Sequence, residues 1–97
     1  MIVVRNVFQL KFGKARDAIS AWKEAKTKNP KAFGDNARIL TDLVGNFYTL
    51  VLELTFENLD AYQKMARETM DNPEWRQWYE KFTPLVESGY REIFTVV

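Results

Sequence analysis

The chain contains no cysteine and no histidine. Without cysteine there is no disulfide, no thiolate nucleophile and no thiolate metal site. Without histidine there is no imidazole ligand for zinc or haem iron, no serine–histidine triad, and no imidazole base titrating near neutrality. Any chemistry must run on carboxylates, lysine, arginine, tyrosine, amides or a bound reagent. An excess of charge of either sign is also lacking: 14 basic and 13 acidic residues leave +1 over 97 residues. They are interspersed, whereas a nucleic-acid-binding chain shows a basic stripe or patch. No apolar run approaches the roughly 20 residues that span a bilayer. The start, "MIVVRNVFQLKFGK", has neither the basic opening nor the small-residue cleavage site of a secretion signal. The expectation is a cytoplasmic protein with no nucleic-acid and no membrane partner.

What is present is an ordinary globular mixture, 46% hydrophobic and 28% charged, with a length that suits one domain over residues 1–97. Ile2 to Phe12 alternates with period two, and its even positions (Ile2, Val4, Phe8, Leu10 and Phe12, interrupted by Asn6) are the more apolar. Lys14 to Lys28 changes to helical spacing through Ala15, Ala18, Ile19, Trp22 and Ala25. Asn29-Pro30 stops that helix, and "KAFGDN" reads as loop. Ala37 to Val44 and Phe47 to Phe56 read as strands joined by a tight turn at Gly45-Asn46. Asn58 suits the cap of a helix over Leu59 to Met70, and Asn72-Pro73 restarts another. The apolar stripe Trp75, Trp78, Tyr79, Phe82, Leu85 and Val86 predicts one helix, kinked near Pro84 and closed by Gly89. Tyr90 to Val97 is the last strand.

The order β-α-β-β-α-α-β is the split βαβ, or ferredoxin-like, α+β pattern: a four-stranded antiparallel sheet with its helices on one side. The other side is expected to hold Val3, Val7, Val51, Ile93 and Val97 mixed with Arg5, Gln9, Glu53, Arg91 and Thr95. That face is too apolar for solvent and too polar for a dry core, which suits packing against a second copy of the chain. A domain of this size buries only roughly 60–65% of its unfolded surface, and a partner subunit adds to that.

The strings "RNVFQLKFGKARDAISAW", "LTFENLDAYQKM" and "PEWRQWYEKFTPLVESGYREIFTVV", in that element order, make the chain resemble the dimeric α+β barrel superfamily. It is most similar to the cluster of antibiotic-biosynthesis-monooxygenase-type domains, haem-degrading monooxygenases and NIPSNAP-like proteins. The resemblance covers essentially the whole chain and contains no catalytic signature. It implies a homodimer whose two sheets wrap into a barrel, with a cleft in each subunit between sheet and helices for a bulky apolar or aromatic ligand. Some relatives oxidise that ligand with molecular oxygen and no cofactor, the substrate supplying the electrons. A chain without histidine and cysteine can do this, so no cofactor and no metal are expected.

Asn6 matches a first-strand asparagine that points into the cleft in relatives. Its amide either meets a ligand or is satisfied by backbone, Tyr79 or Tyr62. Haem degradation is not expected, because Tyr62 stands where such relatives carry tryptophan, and Trp78 and Tyr79 stand around the missing histidine. The stripe is expected to divide, with Trp75 and Phe82 packing and Trp78 and Tyr79 walling the cleft near Asn6. Candidate catalytic residues are therefore Asn6, Tyr79 and Tyr62. Candidate ligand contacts are Trp78, Phe8, Trp22 and Tyr48. Glu53 is expected to pair with Arg5, Arg38 or Arg91 rather than act as a base. Two functions stand at this point: a cofactor-independent monooxygenase acting on an apolar or aromatic substrate, and a non-catalytic NIPSNAP-like interaction or ligand-carrier protein.

Overall fold

The computed structural model describes residues 1–33 and 36–97. Gly34 and Asp35, within the expected loop "KAFGDN", lie outside the described residues. Strands β1 (Ile2–Leu10), β2 (Arg38–Thr41), β3 (Thr49–Phe56) and β4 (Val86–Thr95) form one antiparallel sheet in the order β2-β3-β1-β4. Helices α1 (Ala15–Lys28), α2 (Leu59–Met70) and α3 (Pro73–Phe82) complete the α+β ferredoxin-like fold. Among the described residues no helix is long and apolar enough to cross a membrane.

The core lies between the helices and one sheet face. Val4, Leu10, Leu50, Leu52 and Leu54 meet Ala18, Trp22 and Ala25 of α1, Tyr62 of α2, and Trp78 and Phe82 of α3. Both asparagine caps form. Asn58 Oδ1 accepts from the Ala61 N–H, and Asn72 Oδ1 accepts from the Glu74 N–H, each at 2.9 Å. Pro73 takes the first turn of α3, where its missing N–H leaves no intrahelical bond unmade.

Several expected boundaries move. The tight turn at Gly45-Asn46 is absent. The β2–β3 connection runs from Asp42 to Tyr48, because the Asp42 carboxylate accepts the Thr49 N–H at 2.9 Å and Tyr48 adopts a left-handed conformation at φ 61°. Together they end the alternation, so β2 stops at Thr41 and β3 starts at Thr49 rather than Phe47. The stripe through Val86 is not one helix either. Pro84 has no N–H to donate, so α3 ends at Phe82 and passes through a 3₁₀ turn, Thr83–Leu85, into β4. Gly89 is no helix stop; it lies inside β4 opposite Phe8.

The largest correction concerns sides of the sheet. Val4 pairs with Ile93 and Asn6 with Arg91, so Arg91 and Ile93 share the helix-facing side with the even residues of β1. The open side instead carries Val3, Val7, Leu40, Val51, Tyr90 and Phe94, together with Arg5, Arg38, Glu53 and Glu92. A slip of one residue inverts every side chain of a strand. The register of β4 is broken by an irregularity between Gln9 and Leu10, which pair with Ser88 and Val86.

Candidate functional site

The inner face of the sheet and the three helices enclose an open cleft of about 840 Å³, within the range of small-molecule sites. Its floor is Asn6 and Phe8 of β1, Leu52 and Leu54 of β3, and Gly89 and Arg91 of β4. Helix α2 contributes Tyr62, Met65, Ala66 and Thr69, which follow helical spacing and so fall on one side. Helix α3 contributes Trp75, Arg76, Tyr79 and Phe82, and Trp22 reaches in from α1.

The aromatic wall is built by mutual ring contacts, edge-on except for the tilted Phe8–Trp22 pair. The Phe8 ring meets Phe82 at 5.1 Å and Trp22 at 5.9 Å, and Trp22 meets Phe82 at 5.1 Å and Trp75 at 6.0 Å. These separations are those of edge-to-face aromatic pairs, each adding about 0.5–1.5 kcal/mol beyond simple burial. Trp22 is only 2% exposed, and its indole nitrogen has no hydrogen-bond partner among the described residues. An unmade bond of that kind costs about 1–3 kcal/mol.

Against this apolar wall stands one polar corner. Arg91 Nε donates to Asn6 Oδ1 at 2.5 Å across the β1–β4 pair. The Arg91 guanidinium also lies 5.8 Å from the centre of the Tyr62 ring, within cation–π range. Arginine is donor-only, so the Asn6 oxygen faces it and the Asn6 NH₂ is left as a further donor. The polar partner of Asn6 is therefore Arg91, not the backbone, Tyr79 or Tyr62.

The expected site residues separate into two groups. Asn6, Tyr62, Tyr79, Phe8 and Trp22 all line the cleft; Trp78 and Tyr48 do not. Trp78 is turned to α1, where its indole N–H donates to the Ala21 carbonyl at 2.8 Å. Tyr48 lies beside Phe12 in a separate shallow depression with Phe47 and Asp42. The expected division of the α3 stripe is thus reversed for its tryptophans, Trp75 reaching the cleft and Trp78 packing, while Phe82, 1% exposed, packs in the core as expected and backs the cleft. Helical spacing places all four rings on one broad stripe, but α1 lies against one edge of it and the cleft against the other.

Arg91 and Arg76 are charged residues of the cleft lining that sequence reasoning did not place there. The signal for Arg91 was a second interruption of the inner face, directly opposite Asn6, visible only once the β1–β4 register is known. Glu53 lies on the opposite side of the sheet. Its carboxylate takes Arg38 at 2.5 Å and Arg5 at 3.6 Å, a structural ion pair that excludes Arg91.

The chain matches the NIPSNAP family model over residues 4–97. No functionally curated protein matches it significantly. Among solved structures it is similar to a NIPSNAP family protein from Agrobacterium tumefaciens, with 15% identity, a TM-score of 0.89, and coverage of 99% of this chain and 85% of that one. It is similar to a NIPSNAP domain protein from Burkholderia xenovorans at 13% identity and a TM-score of 0.86, covering 100% and 95% of the two chains. It also resembles SnoaB, a cofactor-independent oxygenase from Streptomyces nogalater, at 14% identity and a TM-score of 0.72, covering 98% and 91%. At such identities these likenesses establish the shared fold.

Proposed function

The chain belongs to the NIPSNAP family, and from that premise we propose that it is a homodimeric small-molecule-binding protein whose cleft holds an apolar or aromatic compound. The observation that carries the reading is the composition of the cleft: rings and aliphatic side chains on nearly every side, and one hydrogen-bonded corner, Asn6–Arg91, to orient a ligand oxygen. Tyr79, 44% exposed, stands at the mouth, and Tyr62 underlies the corner.

The open sheet face supports the dimer in this reading. Val3, Leu40, Tyr90 and Phe94 lie on that face with no helix over them. Its charges are already matched within the chain, Arg5 and Arg38 on Glu53 and Arg5 also beside Glu92. A face that neutralises itself can pack against an identical face without burying unpaired charge. A cytoplasmic setting fits a chain free of cysteine.

Native mass spectrometry of the protein as purified from cells tests both parts. The expected species is two chains carrying a small-molecule mass that is lost in Asn6→Ala. An empty dimer that takes up no member of a panel of aromatic compounds sinks the ligand reading in favour of a non-catalytic interaction protein. A monomer at micromolar concentration sinks the dimer.

A second reading adds chemistry to the same cleft: oxidation of the bound compound by molecular oxygen, with the compound as electron source. The fold shared with a cofactor-independent oxygenase favours it, as does a corner of hydrogen-bond donors able to stabilise an anionic intermediate. Oxygen uptake that requires the ligand and disappears in Asn6→Ala is the expected result. Tight binding without uptake leaves the protein a carrier.

A further inference from the structure

Resting on the reading of the cleft as a ligand site, we propose that its occupant is an amphipathic anion: a carboxylate on a ring-bearing apolar body, with the acid group held by Arg91.

The distribution of charge points there first. Arg76 and Arg91 line the cleft, and among the described residues no aspartate or glutamate does. The chain as a whole is almost neutral at +1, so this is local sorting rather than a general excess of cations. The open side of the sheet makes the contrast plain. There Arg5 and Arg38 each have a carboxylate partner, while Arg91 forms no ion pair among the described residues. Glu92, the next residue in β4, points to the opposite side and is taken by Arg5.

The geometry of the corner says what kind of anion fits. Asn6 engages only Nε of Arg91. That bond orients the planar guanidinium and leaves its two terminal NH₂ groups without a hydrogen-bond partner among the described residues. The Tyr62 ring, 5.8 Å away, braces the same group from another direction. A held guanidinium plane presents parallel N–H bonds that match the two oxygens of a carboxylate. The rest of the corner is rich in donors, since the Asn6 NH₂ also has no hydrogen-bond partner among the described residues. A donor-rich corner centred on a guanidinium favours an oxyanion over a ligand ammonium.

The walls specify the rest of the ligand. Phe8, Trp75 and Tyr79, backed by the buried Phe82, present ring faces and edges that favour a flat apolar body by offset stacking. With water largely displaced from such walls, the attraction between Arg91 and an acid group is stronger than at an open surface. Asn6 is a positioning residue in this arrangement and Arg91 is the contact.

Titration with 2-naphthoate and with 2-naphthamide, which share one ring system and differ in charge, tests the inference by calorimetry and by the fluorescence of Trp22 and Trp75. The wild-type protein is expected to bind naphthoate about tenfold more tightly than naphthamide, the size of one good charge-assisted contact. Raising the ionic strength is expected to weaken naphthoate and leave naphthamide unchanged. In Arg91→Gln, which keeps a donor for Asn6, naphthoate is expected to lose more affinity than naphthamide, so that the preference for naphthoate vanishes. If naphthamide binds the wild type as well as naphthoate, or if Arg91→Gln keeps the preference, the anion inference is overturned and the cleft stands as a neutral-ligand site. If neither compound binds, the ligand reading of the cleft falls with it.

Discussion

The indole N–H of Trp78 donates to the carbonyl of Ala21 at 2.8 Å, joining α3 to α1 across 57 residues of sequence. The Trp78 ring is also stacked on Phe82, with centroids 5.4 Å apart and planes 11° from parallel. Trp78→Phe keeps much of that stacking and removes the bond. It is expected to lower stability by about 1–2 kcal/mol, from the lost bond and a small void. Urea denaturation measures this. Ligand affinity is expected to stay the same in this variant and to fall in Trp75→Ala, which removes a cleft ring; the opposite pattern would put Trp78 in the site.

A β-carbon on Gly89 would lie 3.0 Å from the Val7 carbonyl oxygen and 3.3 Å from Phe8 Cδ1. The oxygen belongs to the backbone of a central strand and has little room to yield. Gly89→Ala therefore forces β4 away from β1, and overpacking outweighs the entropy gained by replacing glycine. The expected loss is about 1–2 kcal/mol. It should come with weaker ligand binding, because Gly89 and Arg91 share the cleft floor. Thermal melts of the free and ligand-saturated variant separate the two effects. A variant as stable as wild type would show that the strands part without strain.

Phe94 is 47% exposed on the open sheet face, opposite Val3 and two residues from Glu92. Phe94→Lys places a charge at the proposed dimer interface, where Glu92 on the same strand face can partner it within one chain. The fold is expected to survive by circular dichroism while sedimentation velocity shows a monomer. A dimer as tight as wild type would move the interface off this face.

Glu24 and Lys28 form an i,i+4 ion pair at 2.9 Å on exposed α1. The hydrogen bond and charge of Lys28 hold the Glu24 carboxyl below 4.5, and the same bond from Glu24 raises the Lys28 ammonium above 10.5. A lowered carboxyl contributes stability above its unfolded value and loses it as pH falls through the folded one. A raised ammonium contributes below its unfolded value and loses it as pH rises through the folded one. Glu24→Gln is therefore expected to melt slightly below wild type at neutral pH and together with it at pH values well under 4.5. A gap that persists in acid would assign the effect to something other than charge.

Much of the fold was legible because local rules and global packing agree in it. Asn58 and Asn72 are good caps in any context, and the even residues of β1 and β3 do face the core. The errors arose where a distant partner decides. Nothing near Gly45-Asn46 announces that the Asp42 carboxylate will take the Thr49 N–H, so a tight turn was the natural reading. The side of Arg91 depends on pairing with a strand at the other end of the chain, and the irregularity at Gln9–Leu10 sits in that pairing. Of the expected candidates, Asn6 and Phe8 on β1 and Trp22, Tyr62 and Tyr79 on the helices line the cleft. Trp78 packs on α1 instead, because a helical stripe shows which rings cluster and not which neighbour covers each one.

The cleft takes little from the part of the sheet that is hardest to change. The central strands β1 and β3 lend it Asn6, Phe8, Leu52 and Leu54, while most of the remaining lining comes from α2, α3 and edge strand β4. Side chains on helices and at a sheet edge can be exchanged with little effect on the pairing of the middle strands. The chemistry of the cleft lining can therefore drift, or be redesigned, from the periphery inward, with the central hydrogen-bonded ladder carried through each change unaltered.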